Sequence, residues 1–501
     1  MASNKEKLGI MYFRRDLRLT DNTALNKCIE ENDRILLLFI FNPIQIDDSI
    51  NKYYGERSFS LLQHFLQELN EECKDKIGVE ISIFKGDPTK VLDDTIKKLN
   101  KLNGVGKISI YFNTDYTPFS IQRDTDIFMN CSEVATVKAY CDHLLTDTRT
   151  ITEYQQLYQT NPNDIYKKFT PFYNYYSSIP PSQPHTASVK KIIPQSLKVP
   201  EYKMAISNYP EYKNMNRKNA LKALSQNIDY HHTHDSPYNE DGTFNISHYL
   251  KFGVISIREA YYELQKLTNK NARDAVIRQL YWRDFYTLIA WAYPKLLGWN
   301  FGGFNSKRHP VWTKLKENSA LYDKYNEIKW NYDKKIIKAW QDGKTGFPIV
   351  DAGMRQLLQT GYMHNRVRLI TASFLTKICG IDWRVGELWF AKHLIDYDPI
   401  INNGNWLWVA GGGADSQPYF RVFNPWIQQI KHDPDCVYIK RWIPELKAVD
   451  NKIIHKYYLV AEVDSDKKLK GCIIPKDYAV PVIDYAIEKE KTYVLYKNAV
   501  K

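Results

Sequence analysis

Residues 34–41 read RILLLFIF, an uninterrupted apolar run after a single arginine. A run this short is typical of a strand buried on both faces, as parallel sheets require. Strand and helix patterns alternate along the chain on both sides of it, at Gly9–Phe13, Ser58–Cys73, Val79–Phe84, Thr89–Leu99 and Lys107–Phe112. This order predicts a doubly wound parallel sheet, an α/β domain that occupies residues 1–135. It contains neither G-x-G-x-x-G nor a P-loop motif, so the sequence gives no support to dinucleotide or P-loop binding.

The remaining chain divides into a connector and a helical part. Residues 136–215 are rich in Pro, Ser, Asn and Tyr and have little periodicity, which indicates a long connector. Residues 216–501 are predicted to form an all-α domain. Its clearest helical patterns are Ile255–Leu267, Ala272–Tyr293, Gly353–Cys379 and Arg384–Ile395.

Composition narrows the function classes. The 501 residues carry a net charge of +12, which suits a nucleic-acid partner but also serves plain solubility. The seven cysteines are odd in number and form no CxxC pair, so we expect reduced thiols and no zinc ribbon. No apolar run is long enough to cross a membrane, and the N-terminus lacks a secretory signal. We therefore expect an intracellular protein, cytoplasmic or nuclear, that binds no membrane.

Two segments before and within predicted helices carry polar side chains. Thr243, Asn245 and Ser247 precede a helix, where they could bind phosphate or simply cap the helix. In IRQLYWRDFY (277–286), Gln279 shares a helix face with two residues one and two turns later, Arg283 and Tyr286. That polar stripe is either a binding surface or a solvated face.

Charged residues recur in the last third of the chain. TGYMHNRVRLITASFL (360–375) is predicted to be a helix with Arg368 on one face and Arg366 on another. The two arginines could meet two different anions, or form one buried ion pair and one surface charge. Asp396 and Asp398 stand too isolated from other ligands to indicate a metal. An acid at 396 paired with Arg368 is expected instead, because a buried carboxylate needs such a partner.

Residues 402–421 read NNGNWLWVAGGGADSQPYFR, in which two tryptophans stand beside three glycines. Trp406 and Trp408 lie two residues apart and therefore point in different directions. The glycines at 411–413 suit a close backbone turn.

Several long motifs in this chain together resemble the photolyase/cryptochrome family, above all its class I cyclobutane pyrimidine dimer (CPD) DNA photolyases. They are FRRDLRLTDN (13–22), FTPF (169–172), YWRDFY (281–286), DGKTGFPIVDAGMRQLLQTGYMHNRVRLITASFL (342–375) and NNGNWLWVAGGGADSQPYFRVFNPW (402–426). The resemblance runs from about residue 8 to about residue 495. It implies an α/β antenna domain, a connector and a helical FAD-binding domain. It also implies a monomeric enzyme that uses light and reduced FAD (FADH⁻) to repair UV-damaged DNA, without a metal.

The resemblance assigns a set of flavin-binding positions. They are Tyr230, Thr243, Phe244, Asn245, Ile246, Ser247, Gln279, Arg283, Tyr286, Asn365, Arg368, Asp396, Asp398 and Asn402. Arg368 and Asp396 match an ion pair beside the flavin ring. Asn402 matches the residue that faces flavin N5, where an amide can accept a hydrogen bond but cannot release a proton. Asn245 stands where an arginine is common, which removes one charge.

The same resemblance assigns electron-transfer and lesion-binding positions. Trp406, Trp383 and Trp330 match the tryptophans that photoreduce the flavin, in order from flavin to surface. The lesion would lie between aromatic walls and beside polar and ionic contacts, at Trp282, Asn365, Arg366, Leu369, Trp408 and Arg421. Stacking on the tryptophans would replace the base stacking lost when the lesion flips out.

Two departures bear on the lesion. Gln279 stands where many class I enzymes have a glutamate, and glutamine also occurs there in (6-4) photolyases and animal cryptochromes. His364-Asn365 replaces the His-His pair of the (6-4) enzymes, and Leu369 replaces a common methionine. The interpretation is therefore CPD repair, with (6-4) repair and a cryptochrome-type photoreceptor as alternatives.

The second, light-harvesting chromophore is left open. Phe119 and Ser120 stand in place of the Asn-Glu pair of folate-binding class I enzymes, and Gly298 in place of a lysine. These residues do not favour methenyltetrahydrofolate. A deazaflavin, FMN or no antenna remain as alternatives.

Overall fold

The predicted strand Arg34–Phe41 is the second strand of a parallel sheet in the computed structural model. The structure describes residues 6–145, 165–188, 193–194, 202, 204, 209–298, 318–416, 418–462 and 477–500. The strands are β1 Glu6–Phe13, β2 Arg34–Phe41, β3 Ser82–Lys85, β4 Val105–Asn113, β5 Thr136–Tyr140 and β6 Ile193–Pro194. They confirm the predicted fold class.

The sheet has the order β3-β2-β1-β4-β5, and β6 pairs with β2. Ile10 of β1 pairs with Leu36 on one side and Ile110 on the other, and all three are fully buried. The chain leaves β1 towards β2 and later returns to its other side as β4, so the direction of winding reverses between β1 and β4. Ligands of open parallel sheets bind at the carboxyl ends of strands at such a reversal.

The helices of the first half are α1 Thr23–Glu31, α2 Pro43–Ile46, α3 Glu56–Ile77, α4 Pro88–Leu99, α5 Pro118–Cys131 and α6 Phe169–Tyr176. Among them, α1 packs against β1 and β4. Three of the elements named above lie in the range predicted as a connector, and one of them is β6, which pairs with β2. Strand β5 extends the sheet to Tyr140 by pairing with β4, and α6 begins at Phe169. Both are short, and β5 is mostly half-buried, so neither produces a long apolar period in the sequence.

The remaining helices begin with α7 Arg217–Leu224, α8 Tyr230–Thr233, α9 Ser247–Phe252, α10 Ile257–Gln265 and α11 Lys270–Ala292. They continue with α12 Lys334–Gln341, α13 Pro348–Thr360, α14 Asn365–Ser373, α15 Trp383–His393, α16 Pro399–Ala410, α17 Pro425–His432, α18 Val437–Trp442, α19 Asn451–His455 and α20 Tyr485–Val500. A π-helix, Phe374–Ile378, follows α14 directly.

The predicted helix Gly353–Cys379 was wrong as one element. It is broken after Thr360, where Gly361 has φ +72°, a left-handed conformation that ends α13. The chain resumes as α14 at Asn365, and His364 Nδ1 accepts the Arg366 N–H at 3.2 Å as the cap. The break places Asn365 and Arg366 in the first turn of a helix instead of its middle.

The described residues fall into two compact units that differ from the predicted division at 135 and 215. Unit 1 takes its residues from Met1–Asn227 and Asn245–Glu317, and unit 2 from Ile228–Phe244 and Asn318–Lys501. Helices α9 to α11 therefore belong with the sheet. A buried charge network explains this, because Arg258 of α10 pairs with Asp21 at 2.9 Å and with Asp142 at 2.7 Å. Asp142 also pairs with Arg18, so the FRRDLRLTDN motif holds this helix against the sheet.

Two further sequence predictions can be compared with the structure. The described cysteines are free thiols, and all but the half-buried Cys141 are buried. Cys472 lies outside the described residues. Within the described ranges, no helix is long and apolar enough to cross a membrane.

Candidate functional site

Helix α16 carries the segment NNGNWLW and presents one buried face. Asp398 accepts the backbone N–H groups of Ile400 at 2.9 Å and Ile401 at 3.2 Å, and so caps the start of the helix. Asn402 and Trp406, one turn apart, are both buried. Among the described residues, no cluster of His, Cys, Asp and Glu has the arrangement of a metal site.

The side chain of Asn402 is oriented by α15. Its amide nitrogen donates to the backbone carbonyl of Glu387 at 3.0 Å. The Glu387 carboxylate accepts from the amides of Asn403 at 3.0 Å and Asn318 at 2.7 Å. Because the amide nitrogen is committed to Glu387, the carbonyl oxygen of Asn402 is the end that can accept a hydrogen bond from a ligand.

The predicted ion pair between Arg368 and Asp396 is present. The guanidinium of Arg368 lies 3.0 Å and 3.2 Å from the two carboxylate oxygens. It also donates through Nε to the Met363 carbonyl at 2.7 Å, which fixes the plane of the guanidinium. Asp396 is almost entirely buried in this pair.

Trp406 is enclosed by aromatic rings and by a glycine. It is 2% exposed and packs edge-on against Phe390 and Trp340, with ring centroids 5.0 Å and 6.2 Å away. A Cβ placed on Gly386 would lie 2.0 Å from the indole of Trp406. Only glycine at 386 therefore leaves room for this tryptophan.

Of the other two predicted electron-transfer tryptophans, Trp383 is as buried as Trp406, each 2% exposed, and Trp330 lies nearer the surface. Trp383 begins α15 and is buried, with the Arg384 guanidinium 5.2 Å from its ring. Trp330 is half-buried and meets the ring of Tyr496 edge-on, at 5.7 Å.

Arg366 has an intramolecular partner that the sequence did not reveal. Its guanidinium binds both carboxylate oxygens of Asp235, at 2.6 Å each. This differs from the predicted phosphate contact of Arg366. Asp235 lies 131 residues away in the chain, so no local pattern linked the two.

The loop before α9 is divided between the two units. Tyr230, Thr243 and Phe244 belong to unit 2, where the Tyr230 and Phe244 rings lie 5.9 Å apart. Asn245, which has φ +48°, begins the second stretch of unit 1. Ile246 stands at the N-cap of α9 and makes no capping bond with its side chain, and Ser247 is the first helical residue.

In unit 1, helix α11 presents the predicted polar stripe. Gln279 is exposed, and its amide lies 3.4 Å from the Ala275 carbonyl one turn earlier. Tyr286 is buried two turns further along the helix. Arg283 donates to the His143 carbonyl and lies 2.7 Å from His143 Nδ1.

Trp282 is half-buried and is backed by the FTPF motif. The ring of Phe169 stacks on it at 3.6 Å with an interplanar angle of 4°. The Arg278 guanidinium lies 4.8 Å from the centroid of the Phe169 ring. Phe169 belongs to a motif of the family resemblance, but nothing in the sequence linked it to Trp282.

A small cavity of unit 1 lies at the carboxyl ends of β1 and β4. Its volume is about 30 Å³, enough for a water-sized group and too small for an aromatic ring system. Arg15 and Arg283 line it beside His143. Burial and the two guanidinium charges hold the pKa of His143 well below its usual range, so its imidazole is neutral.

The remaining lesion-binding positions are at or near the surface of unit 2. Asn365 and Arg421 are exposed, and Leu369 and Trp408 are half-buried. The contrast between Trp408 and the buried Trp406 agrees with their predicted different directions. Gly411, with φ +92°, ends α16, and a Cβ on Gly413 would lie 2.9 Å from the Leu407 backbone. The glycines thus let the chain turn back against α16.

These elements define a class: a parallel α/β sheet joined in one chain to a helical region with a buried amide, an ion pair and tryptophans suited to a redox cofactor. Family models match both parts, DNA photolyase over residues 9–188 and the FAD binding domain of DNA photolyase over residues 276–498. The chain is 31% identical to a deoxyribodipyrimidine photo-lyase of Agrobacterium fabrum, over 97% of each chain. It is 30% identical to that of Escherichia coli, over 98% of this chain and 99% of the relative.

Solved structures agree with these relatives. An archaeal photolyase from Sulfolobus tokodaii, with two FAD molecules, matches with a TM-score of 0.78 and 35% identity over 98% of this chain and all of its own. A class III photolyase from Agrobacterium tumefaciens matches with a TM-score of 0.80 and 29% identity over 100% of this chain and 99% of its own. A cryptochrome of Synechocystis, at 24% identity over 98% and 99% of the two chains with a TM-score of 0.78, shares the fold. The chain belongs to the DNA photolyase family of enzymes, and its cofactor is FAD.

Proposed function

We propose that this protein repairs cyclobutane pyrimidine dimers in DNA by light-driven electron transfer from bound, reduced FAD. The observation that carries the proposal is the fixed orientation of Asn402. Its amide nitrogen is held by the Glu387 carbonyl, so its oxygen is available to accept the N5–H of a reduced flavin. An aspartic acid there could protonate the flavin, whereas an asparagine cannot.

The chain's own groups fit the cofactor. The predicted flavin positions of unit 2 supply a held ion pair at Arg368 and Asp396 and an oriented acceptor at Asn402. Asp398 caps α16, and in this proposal its second role is to keep Asn402 in register. When bound and excited by light, reduced FAD would supply the electron that opens the cyclobutane ring and would take it back once the ring has split.

The tryptophans have a separate task in this proposal. Trp406 donates an electron to oxidised cofactor, and Trp383 and then Trp330 refill it in turn. The half-buried Trp330, beside the buried Trp406 and Trp383, supports its place as the last member, because that member must exchange with solvent-borne reductants.

DNA contacts are proposed at exposed or half-buried positions. Trp282, held in place by Phe169, offers an indole to the flipped lesion, and Trp408 offers a second one. Arg421 is the proposed phosphate contact. Arg366 is reassigned to hold Asp235 in unit 2, because a phosphate would have to displace a two-oxygen ion pair.

The choice of lesion rests on the polar residues at these positions. Asn365 lacks the titratable imidazole that acid-assisted (6-4) repair would use, and Leu369 supplies only apolar contact. Gln279 is exposed and can donate an N–H to a carbonyl, which CPD repair requires and (6-4) repair also tolerates.

The test is repair of purified lesions by the reduced, FAD-loaded protein. Oligonucleotides with one CPD or one (6-4) photoproduct are incubated in light and in darkness and counted for restored bases. We expect loss of the CPD in light only. Equal CPD levels in light and darkness with FAD bound would contradict the proposal. Repair of the (6-4) lesion alone would show that the (6-4) photoproduct is the substrate instead.

We also propose that folate is not the second chromophore. Phe119 and Ser120 are buried in α5 and offer no carboxylate to a pterin. Chromophores released by denaturing the purified protein are expected to contain flavin and no folate. Recovery of one folate per chain would contradict this proposal.

A further inference from the structure

The segment Arg421–Asn424 has no regular secondary structure and is anchored at both ends. The Arg421 N–H donates to the Pro418 carbonyl at 2.9 Å. The side chain of Asn424 caps α17 by accepting the Trp426 N–H at 3.0 Å. The side chain of Arg421 is exposed at the start of this segment.

Two buried side chains, one from α14 and one from the π-helix that follows it, bind the backbone between these anchors. Ser373, the last residue of α14, accepts the Phe423 N–H on its hydroxyl oxygen at 3.2 Å. Lys377, one turn later in the π-helix, donates from Nζ to the Arg421 carbonyl at 3.0 Å. Ser373 is 0% exposed and Lys377 4%.

A lysine is unusual at a position as buried as 377. Within the described part of the chain it forms no ion pair, and the Arg421 carbonyl is its hydrogen-bond acceptor. Burial lowers the pKa of Lys377 to about 8, so the ammonium form is retained near neutral pH at a cost in solvation. An apolar side chain would fill the same space without that cost, which suggests that the bond to the carbonyl matters for more than packing. π-helical turns occur often at functional sites.

We propose that Lys377 and Ser373 are positioning residues for DNA binding, which hold the 421–423 backbone so that the Arg421 side chain meets a DNA phosphate. This inference rests on the proposed function of Arg421. Without the Lys377 bond, the Arg421 carbonyl loses one of the contacts that hold it, and the origin of the guanidinium is less firmly fixed. The Arg421 side chain must then be ordered each time DNA binds. The conformational entropy lost in that ordering weakens binding.

The experiment measures the dissociation constant (Kd) of the FAD-loaded protein for a CPD-containing duplex over a series of salt concentrations. The variants are Lys377→Met, Ser373→Ala, Arg421→Ala and the double variant Lys377→Met/Arg421→Ala. Lys338→Met is the matched control, because it removes one exposed lysine of the same unit and leaves residues 421–423 untouched.

We expect Arg421→Ala to raise Kd about fivefold and to reduce the slope of log Kd against log salt by about 0.9, the signature of one lost phosphate contact. Lys377→Met should raise Kd by about threefold to fivefold and reduce the slope in the same way, although Lys377 itself is buried. The double variant should be no weaker than Arg421→Ala alone. Ser373→Ala should act in the same direction by about twofold, and Lys338→Met should bind like the parent.

Two results would overturn the inference while the proposed function stands. One is parental binding by Lys377→Met beside weakened binding by Arg421→Ala, and the other is an additive double variant. If Lys377→Met does not fold, Ser373→Ala decides, and parental binding with a parental salt slope rejects the inference. Parental binding by Arg421→Ala rejects it too, because Lys377 then has no contact to position. Failure of the parent to bind CPD duplex, or to repair it in light, would instead reject the proposed function.

Discussion

The side chains of two stretches differ in burial and in hydrogen bonding: Asn402–Trp406 on α16 and Gln279–Trp282 on α11. On α16, Asn402 is buried and bonded to a neighbouring helix, and Trp406 is enclosed by rings. On α11, Gln279 is exposed and has only a long contact with its own helix, and Trp282 is covered by Phe169 and remains half-buried. On these two helices, the side chains proposed to act on the cofactor are buried, whereas those proposed to act on the lesion stay exposed or half-buried.

The largest effect is expected from Trp406→Phe, on the buried face of α16. A phenylalanine fills most of the space but is far harder to oxidise, so photoreduction of oxidised flavin should slow by about three orders of magnitude. Repair by chemically reduced protein should persist. Absorbance of the flavin under blue light measures the first, and lesion counting the second.

Trp426→Phe is the control, because Trp426 is another buried tryptophan of the same unit, packed on Phe347 at 4.8 Å. Equal photoreduction rates in both variants would remove Trp406 from the electron path.

The buried His364, at the N-cap of α14, should make the fold of unit 2 sensitive to acid. Burial, together with the Arg368 and Arg366 charges and against the Asp235 charge, lowers the pKa of His364 to about 4. The unfolded chain takes up this proton near pH 6.5, so the free energy of unfolding should fall by about 3 kcal/mol as the pH drops from 6.5 to 4. Urea unfolding at several pH values measures it.

In His364→Asn, which keeps an N-cap side chain, this part of the pH dependence should disappear. His231→Asn, at an exposed position, should keep the parental profile. A parental slope in His364→Asn would show that His364 is not the group responsible.

A smaller effect is expected from Asn402→Asp. The carboxylate loses the donor to the Glu387 carbonyl and adds negative charge beside a reduced, anionic flavin. Reoxidation of the reduced protein in air should be about tenfold faster, as read from the flavin spectrum.

Asn405→Asp, three residues along the same helix, is the control because its amide donates within the helix, to the Ile401 carbonyl one turn earlier. If both variants reoxidise at the parental rate, the orientation of Asn402 has no bearing on the cofactor.

The smallest effect is expected at the half-buried Trp282 of α11. Phe169→Leu removes the ring behind Trp282, and an aromatic pair is worth about 1 kcal/mol, so KM for CPD duplex should rise about fivefold with kcat little changed. Phe172→Leu, on the same helix but without contact to Trp282, should keep KM. Equal KM values in the two variants would mean that Trp282 needs no backing ring.

The sequence was informative where a signal is local. The strand Arg34–Phe41 was predicted to the residue, because a fully buried strand is a contiguous apolar run. The Arg368–Asp396 pair followed from a buried acid that needs a partner. The contacts of Arg366 with Asp235 and of Arg283 with His143 were not foreseen, since each joins positions more than 130 residues apart. The break at Gly361 was missed because apolar spacing continued across it.

Gly386 performs no chemistry, yet it decides whether Trp406 can be present. A methyl group there would overlap the indole, so position 386 admits one residue for as long as position 406 is tryptophan. When every position is substituted in turn, replacements of Gly386 should be tolerated as poorly as replacements of Trp406. With a smaller ring at 406, larger residues at 386 should be tolerated. Sequence variation at 386 then reports on what stands at 406, so that a position without chemistry of its own marks a proposed electron donor twenty residues away.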